Sequence, residues 1–156
     1  MQETFKYIIQ ARRAFIALIE ELTLEQLNHI PDGFNNNIIW NFGHIVVATQ
    51  GLCYLRTGVR PDYTIKYGAA YTKGSKPTYT VSQEEVDDLK TLAITTIEQI
   101  EKDYHAGVFK EITPFATGTY HAMMPTIADV IVMTAGHDNL HFGYALAQRR
   151  IINNGK

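Results

Sequence analysis

The stretch Thr126 to Gly143, TIADVIVMTAGHDNLHFG, carries apolar residues at helical spacing and two histidines set four apart. Pro125 suits a first helical position and Asn153-Asn154-Gly155 makes a stop, so a helix is expected from about Pro125 to Ile152. At about 100° per residue, Val130, Met133, His137, His141, Tyr144 and Ile151 fall on one narrow stripe, with Gln148 on it too. Asp138, Asn139, Arg149 and Arg150 fall on the other side. His137 and His141 are therefore expected to point into a bundle and their charged neighbours out.

Three further helices follow from the same spacing. Phe5, Ile8, Ala11, Phe15, Leu18, Ile19 and Leu22 stripe the segment from Glu3 to Leu22, with Arg12, Arg13, Glu20 and Glu21 off the stripe. Asn35-Asn36-Asn37 can cap a second helix reaching Arg56. On it His44 shares a face with Asn37, Trp40, Asn41, Ala48, Gly51 and Leu55, where the small residues suit a close helix contact. Ser82 and Glu85 fit a capping box opening a third helix to about Tyr104, striped by Val86, Leu89, Ala93, Ile97 and Ile100. Thr23–Pro31 reads as a turn and 105–124 as irregular, while tyrosine-rich 58–80 reads as a long crossover between helices two and three. The expected fold is an all-α four-helix bundle, one domain over 1–156.

Composition narrows the partners. With 46% hydrophobic and 19% charged residues the chain is globular rather than disordered. Its net charge of −2 and its lack of basic clusters beyond Arg12-Arg13 and Arg149-Arg150 argue against nucleic acid. Cys53 is the one cysteine and reads as a small core residue. No signal peptide and no uninterrupted apolar run of about 18 residues is seen, so a cytoplasmic location without a membrane partner is expected.

Three histidines carry the chemistry. Residues i and i+4 on a helix lie about 5–6 Å apart at Cβ, close enough for His137 and His141 to share one metal ion. His44, on a facing helix, can supply a third ligand. His29, His105 and His121 read as solvated, with His121, beside Tyr120, also a candidate pocket residue. His137-Asp-Asn-Leu-His141 lacks the Glu of the zincin motif, and no phosphate loop, nucleophile elbow or Cys-x-x-Cys is present. The inward Glu residues of a di-iron bundle are missing as well.

Asn41-Phe-Gly-His44-Ile and the 126–143 stretch resemble the second-helix segment and the last-helix signature of the DinB-like bundles, and the resemblance runs along nearly the whole chain. It implies an up-down-down-up four-helix bundle, often a homodimer, holding one divalent metal (zinc or nickel) on His44, His137 and His141. The superfamily includes bacillithiol- and mycothiol-dependent S-transferases and a mycothiol-dependent maleylpyruvate isomerase. Many members have Arg-Gly after the second histidine of the pair, where Phe142-Gly143 stands here.

Such a site could activate water or a thiol, so a metal-dependent thiol transferase or hydrolase acting on a small molecule, for instance a low-molecular-weight thiol, is one expectation. A non-catalytic bundle binding a metal or small ligand is the other. Trp40, Asn41, Tyr144 and Gln148, about a turn from the ligands, are candidate substrate contacts. Ile131, Val132, Phe142 and Leu146 lie opposite the histidine stripe and point to a homodimer through the last helix.

Overall fold

Asn37 opens the central helix: its side chain accepts a hydrogen bond from the Trp40 amide at 2.9 Å. Ser82 opens another by accepting from the Glu85 amide, and Thr126 caps the last by exchanging bonds with Asp129. These caps satisfy donors that a helix start leaves bare. The computed structural model describes residues 1–154 and has six α-helices among them: α1 (Gln2–Glu20), α2 (Leu24–Asn28), α3 (Ile38–Gln50), α4 (Gly68–Tyr71), α5 (Gln83–His105) and α6 (Ile127–Asn154). α3 continues without a break into a π-helical segment, Gly51–Arg56. A two-residue ladder pairs β1 (Phe115–Ala116) with β2 (Met123–Met124), antiparallel.

The fold is all-α. α1 and α3 each pack along both α5 and α6. Phe15, Ile38, Phe42, Leu89 and Ala145 share one apolar cluster, and Phe5, Cys53, Ile97 and Val130 share the other. The end of α1, the starts of α3 and α5 and the end of α6 thus gather at one pole. α1 and α6 run one way, α3 and α5 the other. Cys53 is fully buried and burial pushes its thiol up to about 12, as suits a core residue.

Several expectations need correction. The turn at 23–31 contains α2, held by a complete capping box in which Thr23 and Gln26 exchange bonds. Glu85 does not complete the box at Ser82, because its carboxylate accepts from the hydroxyls of Tyr71 and Tyr79. Pro125 precedes the cap instead of opening α6, and Gly155 of the expected stop lies outside the described residues. The continuous helix Ile38–Arg56 is long and apolar enough to cross a membrane by length and composition, but 78% of its apolar window is buried inside the fold. It is the core helix of the bundle.

The buried face of α6 lies to one side of the expected stripe, of which Val130 and Gln148 are fully buried. Ile131, Thr134, Asp138 and Ala145, the last three set three, seven and fourteen residues after Ile131, are all at most 2% exposed and form a buried stripe. The histidines flank that stripe and are half-buried, while Tyr144 and Ile151 reach solvent. Asp138 is not outward. It pairs with Arg12, itself fully buried. The arc expected to need a second chain is largely covered within this one: Ile131 is buried, the Phe142 ring lies 5.2 Å from that of Phe15, and Leu146 packs on the core. Val132 remains exposed.

Candidate metal centre and its cavity

His44 from α3 and His137 and His141 from α6 converge, offering ligand atoms that all lie within 4.8 Å of one another. Their ring centroids are 4.6 to 5.2 Å apart. His44 Nδ1 sits 2.7 Å from the Tyr71 carbonyl. A carbonyl only accepts, so Nδ1 carries the proton and Nε2 presents its lone pair. His141 Nδ1 lies 2.8 Å from Asn41 Oδ1. The orientation of that amide is set from behind, since Asn41 Nδ2 faces the oxygens of Asn36, Asn37 and Gln148. Gln148 in turn donates to the Asn36 carbonyl at 2.7 Å. His141 therefore also presents Nε2.

His137 differs. Its Nδ1 is buried and has no hydrogen-bond partner. An orphaned ring nitrogen beside two imidazoles aimed at the same point is the feature a metal ion would explain. The protonation states agree. Burial, together with the neighbouring histidines, lowers His141 to about 3. Burial, then His44 and then Arg12, lower His137 to about 4. His44 is lowered mainly by burial, its bond to Tyr71 opposing the shift. All three are neutral near pH 7, the form that binds metal. The donor set fits one divalent cation with three nitrogen ligands.

Two parts of the support had no signal in the sequence. The crossover turns back onto α3, so that Tyr71 in α4 supplies the carbonyl for His44 while its ring covers Gly43. A Cβ on Gly43 would come within 2.5 Å of the Tyr71 ring, so only glycine admits it. The second part is Arg12, which reaches the α3 backbone one residue after His44 and the α6 side chain one residue after His137.

The expected substrate contacts fall into two groups. Trp40 stacks on His44 at 4.9 Å with its rings nearly parallel, and its indole N–H donates to Ser75. Asn41 and Gln148 are buried in the relay behind His141. These three support the histidines from behind. Tyr144 is half exposed, with its ring 6.4 Å from that of His141. His29, His105 and His121 are all exposed.

On the open side of the trio lies a cavity of about 790 Å³. His44 and His137 line it, with Ala48 and Gly51 below them on the same helix face. Those small residues make room for this space instead of for another helix. The π-helical segment contributes Leu52, Leu55 and Arg56, the crossover Tyr63, Ile65 and Lys73, and the β1–β2 hairpin Phe115 to Tyr120. Leu55 and Met133 lie on the helix faces expected to carry the histidines, whereas the crossover and hairpin residues come from segments without periodicity.

Residues 7–145 match the profile of the DinB superfamily. The chain belongs to that family. Among curated proteins none matches it. Family membership and a three-histidine cluster are together compatible with a metal-binding helical protein.

Proposed function

We propose that this DinB-superfamily chain is a metal-dependent enzyme in which His44, His137 and His141 hold one divalent ion, zinc or nickel, facing a small-molecule substrate. When bound, the ion would act as a Lewis acid on a water or thiol, supplying an anionic nucleophile at neutral pH for hydrolysis or thiol S-transfer. The single observation that carries the reading is that two of the three ligands line a cavity of about 790 Å³, within the range that holds small molecules. A structural zinc site is closed by four protein ligands, whereas a catalytic one keeps a position open.

The protein's own groups do the positioning. The Tyr71 carbonyl and Asn41 Oδ1 hold the outer N–H of His44 and His141 and so fix both the tautomer and the ring direction. Trp40, stacked behind His44, keeps water from that side. The apolar wall from Val47 to Met133 excludes water from the substrate body.

Cobalt substitution tests the reading. The cobalt(II) protein titrated with a small alkyl thiol should develop a sulfur-to-metal charge-transfer band if the site activates thiols. A pH-dependent ligand-field spectrum without that band would instead select water. A spectrum indifferent to both thiol and pH would mean a closed site and defeat the proposal.

A further inference from the structure

We infer that the cavity beside the histidines takes a small amphipathic anion, its charged group held by Lys73 and Arg56 and its apolar body against Val47, Leu55, Ile65 and Met133. The inference deepens the reading above and rests on the same site. It starts from a charge imbalance. No Asp or Glu is among the residues lining the cavity, yet Lys73 and Arg56 both are. Among the described residues, the lysines and arginines in ion pairs are Lys6, Arg12, Arg60, Lys66, Lys90 and Arg149. The two cations of the cavity are not among them.

Each is held without being neutralised. The Arg56 guanidinium lies 5.1 Å over the Phe115 ring, an attraction that fixes the group and leaves its N–H donors available. The Lys73 ammonium rests against Gly118, where a Cβ would come within 2.5 Å of Nζ. Glycine at the hairpin tip thus leaves room for the ammonium at the cavity wall. The two cations come from different segments, the π-helical end of the core helix and the crossover. A neutral apolar ligand would leave both charges unused and a cation would be repelled. An oxyanion on an apolar body satisfies both halves of the wall, and its charge-assisted hydrogen bonds would be stronger than neutral ones.

The test compares 1-octanesulfonate with 1-octanol by titration calorimetry, on the zinc-loaded protein and on protein stripped with a chelator. The sulfonate is a poor zinc ligand, so its charge reports on the cations. We expect the sulfonate to bind at least about tenfold more tightly than the alcohol in both forms, the factor expected of a charge-assisted hydrogen bond. In Lys73→Met/Arg56→Met the two should agree within about twofold, and Lys73→Glu should favour the alcohol. Thermal unfolding of the variants checks that these exposed substitutions leave the fold intact. Failure of the sulfonate to bind, equal affinities in the unsubstituted protein, or a preference that survives the double substitution would overturn the inference. Loss of zinc uptake with the preference intact would overturn only the metal reading, and normal zinc uptake without preference only this one.

Discussion

Arg12 Nε donates to Asp138 Oδ2 at 2.8 Å, with both side chains essentially out of water. The rest of the guanidinium is spent on the Ala93 carbonyl, the Ile45 carbonyl and the hydroxyls of Thr49 and Thr96. One side chain therefore ties α1 to α3, α5 and α6. Ile45 follows His44 and Asp138 follows His137, so this contact sets the spacing between the helices that carry the ligands. A buried pair of this kind adds little stability over an apolar replacement, but it is costly to break from one side.

Asp138→Ala should accordingly destabilise the fold by about 3–5 kcal/mol, because it leaves the Arg12 charge buried and unpaired. Arg12→Met/Asp138→Leu should lose less than that single substitution. Urea unfolding monitored by circular dichroism measures both. A loss below about 1 kcal/mol for Asp138→Ala would mean that water or backbone carbonyls satisfy the arginine unaided.

Gly43→Ala places a methyl where the Tyr71 ring now lies. Overpacking of this sort costs about 1–3 kcal/mol, and here it should also push α4 and the Tyr71 carbonyl away from His44. Metal affinity should fall with stability, and Gly43→Ala/Tyr71→Ala should recover part of both. Independent, additive effects of the two substitutions in a double-mutant cycle would show that the contact does not couple them.

Asn41 is expected to act as the outer partner of His141. Asn41→Leu should weaken metal binding by about 10–100-fold in a chelator competition while leaving helix content unchanged. Asn41→Asp keeps an acceptor toward His141 but sets its second oxygen against those of Asn36, Asn37 and Gln148, so it should keep more metal affinity than Asn41→Leu while losing stability. If Asn41→Leu binds metal normally, the bond between the two side chains orients nothing.

Acid should weaken the metal-free protein in a defined window. The unfolded histidines titrate near pH 6.5, whereas His137 and His141 in the folded state titrate near 4 and 3. Between about pH 6.5 and 4 the unfolded chain binds more protons than the native one, so stability rises with pH across that range. It is lost progressively on acidification below about 6.5, and these groups add no slope above it. Denaturant titrations at pH 5 and 7.5 should show the loss, and His137→Ala/His141→Ala should reduce it. Equal stability at the two pH values in the native protein would mean that the imidazoles are accessible to protons in the fold.

Much of this was legible in the sequence, and the remainder has physical reasons for escaping notice. The caps at Asn37 and Ser82 are local, so the starts of α3 and α5 could be read within a residue. The histidine trio was legible because i, i+4 spacing is a geometric fact and His44 shares its face with other buried residues. Arg12 and Asp138 escaped because a charge on the flank of a helical wheel looks solvated. Only partners from three other helices reveal it as buried. The Tyr71 carbonyl has no side-chain signature at all. Nor do the parts of the cavity wall built from the crossover and the hairpin tip, whose placement depends on tertiary contacts.

Metal analysis of untagged protein, with His44, His137 and His141 each replaced by Ala, tests the central claim most directly. The account predicts about one divalent ion per chain, strongly reduced in each single variant and absent from His137→Ala/His141→Ala, with the helical spectrum retained because Ala favours helix. A protein that takes up no divalent ion when supplied with zinc or nickel, or a double variant that keeps full occupancy, would contradict it.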